Sequence, residues 1–378
     1  MKFVNQCFFS VPDNTMSDNP LKKQKKIKNQ EMSTTKLEDI SDEIILKVLG
    51  CLEITDLLRF GHVSKRFRAI SQDETLWQRI SLCGNVCIPA ELLDTVLQNG
   101  CMYLDLRCTT VEGNLIPETK SKLKYLAMVS GANLLKSCHS LQKLQIAEIN
   151  KRMVEAICHQ NGKTLEALDI SFQYYMQPEL ILLITSHCVE LKELAFEYCP
   201  VQFDEDSESD FFIQDDMDDV ILKGQAIDYL VNNLTTRIEK LSLSCAAITD
   251  EQVKTLVSRC NKLSVLDLSH PGGSYETRRL LTDNSITHII EHLKPTLEEL
   301  NVEGCESLRY DKLVQLRSMP HLKKLKIEMR DHDEDFQRLK REMPHVELTD
   351  GTDDNSCCEF RQWKNDSKRF WELNMDLQ

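Results

Sequence analysis

His288-Ile289-Ile290-Glu291-His292 is the run in this sequence that most directly spells a reaction. Two His four residues apart share a helical face and can hold a zinc ion, with the Glu beside them as the base of a zinc protease. Its frame argues against that chemistry. The run ends five residues before Leu297, where comparable segments carry a plain return helix. A His on the wet side of such a helix needs no function. Cysteine is the other candidate ligand, with 15 in the chain. Cys83 with Cys87, and the adjacent Cys357 and Cys358, have no second pair at zinc-binding spacing. No Gly-x-x-x-x-Gly-Lys or Gly-x-Gly-x-x-Gly loop offers to cradle a phosphate, and Gly totals only 12. The expectation is a chain with no catalytic residue, no metal and no cofactor, its thiols reduced and buried.

Composition bounds the rest. Of 378 residues, 41% are hydrophobic and 28% charged, the balance of a chain that folds around a core. No run of about 18 apolar residues occurs, so no membrane span is expected. The start, MKFVNQCFFSV, lacks the long apolar stretch of a secretory signal. Net charge is −14, and nine acids without a base lie between Asp204 and Asp219, which leaves −5 for everything else. Nucleic acid is therefore not an expected partner, because phosphate binding needs a basic face. The basic cluster Lys22, Lys23, Lys25, Lys26 and Lys28 sits in a polar leader, either a nuclear-import patch or a solvated tail. Cytoplasm and nucleus both stay open as locations.

A repeat positions whatever the chain presents. Leu-x-x-Leu-x-Leu, with Ile, Val, Met or Phe allowed at the ends, starts at Leu123, Leu141, Leu165, Leu191, Ile238, Leu263, Leu297 and Leu322. A weaker copy starts at Cys101. Successive intervals are 22, 18, 24, 26, 47, 25, 34 and 25 residues, a period near 25 with two insertions and one short turn. The longest interval holds the acidic run, and the 34-residue one holds Ser269 to Tyr275. Alternation puts two Leu on the same side of a short strand. A helical segment such as Asp250–Val257 follows, and neither element buries its apolar side alone, so the copies must stack into a solenoid. Cys138, Cys188 and Cys260 each precede a repeat by three residues, and Cys199, Cys245 and Cys305 follow a strand, as small corner side chains do.

Ahead of the repeats, residues 36–80 carry a helical pattern. Ser41 is placed to cap a helix with Asp42 and Glu43 in its first turn, and Ile44, Ile45, Val48, Leu49 and Leu52 form one broad stripe. Thr55 and Asp56 open a second helix with Leu57, Leu58 and Phe60; Gly61 ends it; Val63, Phe67 and Ile70 mark a third. Three short helices cannot hide that many large side chains. Five left wet would forgo on the order of 10 kcal/mol of burial, at about 2 kcal/mol each. Either the adjoining solenoid or another protein must cover them.

Ile40-Ser41-Asp42-Glu43-Ile44-Ile45, Leu57-Leu58, Val63-Ser64-Lys65-Arg66-Phe67 and Leu76-Trp77 resemble an F-box in order and spacing. The family usually has Pro where Ser41 stands and often Trp where Phe67 stands. An F-box followed by cysteine-rich leucine repeats resembles the F-box/leucine-rich-repeat family over residues 36–349. The fold this implies is α/β: a three-helix F-box, then a right-handed solenoid with parallel strands on the concave face and helices on the convex one. Its divisions would be a disordered leader (1–35), the F-box (36–82), and a linker with a first degenerate repeat (83–122). The repeats (123–349, acidic loop 203–222) and a tail (350–378) would follow. The function implied is that of a substrate-recognition subunit. The box docks on a Skp-type adaptor joined to a cullin-RING complex, and the repeats hold a target for ubiquitin transfer and proteolysis. Carried over by position, Ile40, Glu43, Ile44, Leu57, Leu58, Val63 and Trp77 would form the docking face, with Val63 and Trp77 equally placed to be the module's own core. The alternative is a non-catalytic repeat scaffold whose helices merely cap the solenoid.

On the concave face the residues flanking the inward Leu include Asp169, Glu197, Asp267, Ser269, Asn301 and Glu303, the expected target contacts, together with Asp105 and Arg107. Acids exceed bases among them. This predicts a mildly acidic groove for a basic or neutral segment, with long-range steering by the acidic loop. Trp363, Phe370 and Trp371 in the tail leave open a segment that folds back along the groove.

Overall fold

The computed structural model describes residues 37–83, 87–107, 109–113, 121–147, 149–170, 177–196, 224–244, 246–271, 277–328 and 334–350. The basic leader, Glu197, the acidic run, Cys199, Cys245 and the tail beyond Asp350 lie outside them.

Four short helices open the described chain: α1 Asp42–Leu49, α2 Ile54–Gly61, α3 Lys65–Ser71 and α4 Glu74–Trp77. Ser41 stands at the head of α1 in extended backbone, yet its side chain makes no capping bond. Arg66 ties that end down instead: its Nε donates to Asp42 Oδ1 (2.9 Å) and its Nη2 to the Ile40 carbonyl (2.6 Å). The third helix is capped by Ser64, whose Oγ accepts from Phe67 N at 3.1 Å.

The remainder alternates strand and helix. Strands β1 Arg79–Ser81 and β2 Cys87–Pro89 precede α5 Ala90–Gln98, then come β3 Tyr103–Leu106 and β4 Thr110–Glu112. Next are β5 Tyr125–Met128, α6 Ala132–Ser137, β6 Lys143–Ile146, α7 Lys151–Asn161, β7 Ala167–Ile170, α8 Pro178–His187 and β8 Glu193–Ala195. The series runs on through α9 Gln225–Asn233, β9 Lys240–Ser242, α10 Asp250–Arg259, β10 Val265–Asp267, α11 Asp283–Leu293 and β11 Glu299–Asn301. It ends with α12 Tyr310–Leu313, β12 Lys324–Ile327, α13 Glu334–Glu342 and β13 Glu347–Asp350. All but β2 and β4 join one eleven-stranded parallel sheet in chain order, while those two pair with each other.

The register is what the repeat requires. Leu104, Leu126, Leu144, Leu168, Leu194, Leu241, Leu266, Leu300 and Leu325, the middle Leu of each copy, are partners from strand to strand. All are buried, so a slip of one residue would turn the whole row to water. The shortest interval contains the six-residue α6, the truncated helix its length implies.

Two strands extend the sheet beyond the copies counted in the sequence. Ile80 of β1 pairs with Leu104, and Leu348 of β13 pairs with Leu325. Trp77-x-x-Ile80-x-Leu82 is therefore the first repeat, with Trp in the leading place, and β13 is the last, with Leu348 in the middle place and Asp350 where the final apolar residue of other copies stands. The sheet thus begins within the helical module.

Corners between repeats are closed by small or polar side chains. Asn161, fully buried, accepts from Leu141 N (3.0 Å) and donates to the Cys138 carbonyl (2.9 Å), joining two repeats. Cys101, Cys138, Cys158, Cys188, Cys260 and Cys305 are buried free thiols. Burial pushes Cys101 and Cys138 up to about 12 and Cys260 up to about 11, so these stay protonated packing groups. Cys158 is raised too, first by its contact with the Cys188 thiol and then by burial.

Gly162 closes the corner after α7. A methyl there would stand 2.8 Å from the His187 carbonyl of the following repeat, against backbone that cannot step aside. Gly162→Ala is expected to cost about 1–3 kcal/mol as overpacking, read as a lower urea midpoint at unchanged slope. An unshifted midpoint would show that the two repeats have slack at this corner.

Asp250 performs the equivalent closure between α10 and α11. It accepts from Thr282 N at 2.9 Å and from the hydroxyls of Thr282 and Ser285. Burial alone would raise its pKa; the bonds from Ser285 and Thr282 outweigh it, and the carboxyl lies below its ordinary 3.8. A depressed carboxylate adds stability above the unfolded-state value, and that stability disappears as pH falls through the folded value. Asp250→Ala should therefore cost about 1–2 kcal/mol near neutrality, and the difference from wild type should shrink below pH 3.8. Thermal melts at both pH values test this, and a gap independent of pH rules the carboxylate out as the cause.

Candidate interaction site

The stripe foreseen on α1 is in fact two faces. Ile45 and Leu49 point into the core, while Ile44 is 55% exposed and Val48 58%. Residues four apart share a helical face and adjacent ones lie about 100° round the axis, so Ile44 with Val48 and Ile45 with Leu49 form separate rows. Leu52, just past the helix, is exposed, as are Leu37 before it and Val63 (67%) between α2 and α3. Seven large hydrophobics are exposed among the described residues, and five of them lie between Leu37 and Val63. The other two, Leu182 and Val189, lie in and just after α8.

Leu57 is not on that face, which corrects its expected place, and Trp77 takes the core position that was the other of its two expected places. Leu57 is 3% exposed and Trp77 2%, both inside the core. The Trp77 indole Nε1 donates to the Ser71 carbonyl at 2.7 Å, so even its polar edge is used inside the fold. Ile40 and Leu58 are half-buried against the core, and Glu43 is exposed beside Ile44. The surface available to a partner is therefore Ile44, Val48, Leu52 and Val63 with Leu37, Glu43 and the rims of Ile40 and Leu58.

The inner sheet face presents two rows, one on each side of the buried middle Leu. After it come Ser81, Asp105, Ala127, Gln145, Asp169, Ala195, Ser242, Asp267, Asn301 and Lys326. Many of its acids are engaged within the fold. Asp105 and Arg107, nearly inaccessible, form a two-pronged ion pair (3.0 and 2.9 Å). Asp169 accepts from Gln145 Nε2 at 2.9 Å. Asp267 accepts from Ser269 N (2.9 Å) and Asn301 from Glu303 N (3.1 Å), turns that repeat what Asp105 does for Arg107 N.

Ser269 and Glu303, expected on the groove, are buried instead. The Ser269 hydroxyl meets Ser244 Oγ at 3.1 Å, and Glu303 lies 3.7 Å from His270 Nε2. Asp169, Asp267 and Asn301 stay half-exposed on the face.

The row before the middle Leu is Arg79, Tyr103, Tyr125, Lys143, Ala167, Glu193, Lys240, Val265, Glu299, Lys324 and Glu347. Glu193 stands between Lys143 (3.7 Å) and Lys240 (3.4 Å), and Glu299 faces Lys324 (3.5 Å). This pairing offsets much of the acidic excess counted along the sequence. At the other end Arg79 stacks over Tyr103, whose ring stacks on Tyr125. The sequence reading passed over these three; the Trp77-x-x-Ile80-x-Leu82 pattern was the signal that places Arg79 on the face.

The zinc-protease pattern lies on α11. His288 Nδ1 is 3.5 Å from Glu291 Oε2, and among the described residues no three His, Cys, Asp or Glu side chains gather as a metal site. No helix among the described residues is long and apolar enough to cross a membrane.

Residues 42–83 match the F-box-like family. Among solved structures, the chain is similar to the leucine-rich repeat-containing protein LegL7 from Legionella pneumophila, at 12% identity and a TM-score of 0.41 over 72% of this chain and 83% of that one. It is also similar to a chain of the Rad7 and Elc1 complex in yeast, at 16% identity and a TM-score of 0.44 over 81% and 86%.

Proposed function

We propose that this F-box/leucine-rich-repeat protein is the substrate-recognition subunit of an SCF-type ubiquitin ligase. Its helical module docks on a Skp-type adaptor and through it on a cullin-RING complex. Its inner sheet face holds a protein target for ubiquitin transfer by other subunits, and proteolysis follows. In this reading the chain supplies placement rather than a catalytic group, in cytoplasm or nucleus.

The observation that carries the reading is the cluster in sequence of exposed apolar side chains in and just before the segment that matches the F-box-like family. Ile44, Val48, Leu52, Val63 and Leu37, each about half exposed, together leave about 5 kcal/mol of burial unused, at about 2 kcal/mol for a fully exposed side chain. Exposed large apolar side chains concentrated in one short segment mark a site of association. The solenoid, the competing cover, turns its own apolar side inward and leaves this face open.

Co-expression with a Skp-type adaptor tests it. A stable one-to-one complex on gel filtration is the expected result. A chain that elutes alone gives way to the scaffold alternative.

A further inference from the structure

We propose that Arg79 is an anchor for a carboxylate side chain of the protein seated on the inner sheet face. The inference rests on the target-binding role given to that face above.

Arg79 opens β1 with its side chain exposed. Its guanidinium carbon lies 4.8 Å from the centroid of the Tyr103 ring. Tyr103 is itself stacked on Tyr125, with centroids 4.4 Å apart and planes within 7°. The three side chains occupy equivalent positions on adjacent strands, so the sheet register aligns the stack. Farther along the same row Lys143, Lys240 and Lys324 each face a Glu. Arg79 is the exception among the row's cations: it lies over the Tyr103 ring, with Tyr125 next in the stack, rather than facing a Glu.

A guanidinium held over a ring face keeps donors of its planar fork available on the side away from the ring, and less rotamer freedom is left to lose on binding. That fork matches a carboxylate through two parallel bonds. Arg with aromatic neighbours is also the composition of energetically dominant interface positions. The anion class follows from the surroundings. A reader of phosphate gathers several cations, whereas here the next cation along the row, Lys143, is engaged by Glu193. One fixed positive charge suits one negative charge.

The test uses the full chain and four pools of capped peptides with degenerate flanks. The pools differ only in a fixed central residue: Glu, Gln, phosphoserine or Lys. Fluorescence polarisation should rank Glu above Gln. Arg79→Gln should erase that preference, about a tenfold loss for the Glu pool. Arg79→Lys should restore only part of it, because the charge returns without the stacked fork. Tyr103→Leu should weaken Glu binding with Arg79 still present.

Preference for phosphoserine or Lys over Glu overturns the assignment, as does a Glu preference that survives Arg79→Gln or an absence of binding by every pool. Adaptor uptake by each variant is measured in parallel. Its failure in wild type strikes the ligase reading, while the peptide ranking still judges Arg79.

Discussion

Ile44→Asp combined with Val48→Asp is expected to abolish adaptor uptake while leaving thermal unfolding where it was. Both side chains are more than half exposed and occupy one face of α1, so neither supports the fold. With about half of each side chain left to bury on docking, each substitution loses about 1 kcal/mol of burial, and each new carboxylate is an unpaired charge in an apolar contact. The burial term alone, about 2 kcal/mol, weakens binding roughly thirtyfold, and the two unpaired carboxylates carry it to loss. The control is Leu57→Asp, which places the same charge in the core at a site 3% exposed and should unfold the module outright. Undiminished uptake by the double variant would remove this face from the interface. A lowered melting temperature would mean that it packs inside the molecule after all.

Trp77→Ala should give a large loss of stability. The side chain is 2% exposed and belongs to two structures at once: it ends α4, and it fills the leading place of the first repeat. Truncating a buried Trp costs about 3–5 kcal/mol. Losing its bond to the Ser71 carbonyl adds to that. Because the residue serves both elements, the helical module and the first strands should unfold together in wild type and shift together in the variant. Denaturant unfolding followed at once by far-UV circular dichroism and by adaptor binding reads this. Loss of adaptor binding well before the sheet unfolds in wild type would show that Trp77 does not couple them.

The solenoid was legible because each copy repeats one geometric demand, a Leu in the same register on the same side of a strand. The ends were harder to read. Trp77 and Ile80 at the start serve two of those positions without Leu, and at the finish Leu348 keeps the middle position while Asp350 stands where the final apolar residue would, since a terminal repeat has a neighbour on one side only.

The helical module was legible in its order and less so in its faces. Ile44 and Ile45 look alike in sequence, and only the tertiary contacts of α1 decide which one is wet. The groove residues misled for another reason. Asp105, Asp267 and Asn301 precede a backbone N–H by two positions, the spacing of a turn that consumes the side chain locally, and they looked like free acceptors. Ser269 and Glu303 went under with those turns.

The first strand has a mechanical consequence. Leu82 N donates to the Asp105 carbonyl at 2.8 Å, and Tyr103 N donates to the Gln78 carbonyl at 2.9 Å, so the backbone leaving the last helix is already laced to its neighbour. Those bonds stiffen the junction against pivoting. If one end of the chain is bolted to a large assembly, the other holds its cargo at an azimuth decided when the polypeptide folded, and reach is traded for aim.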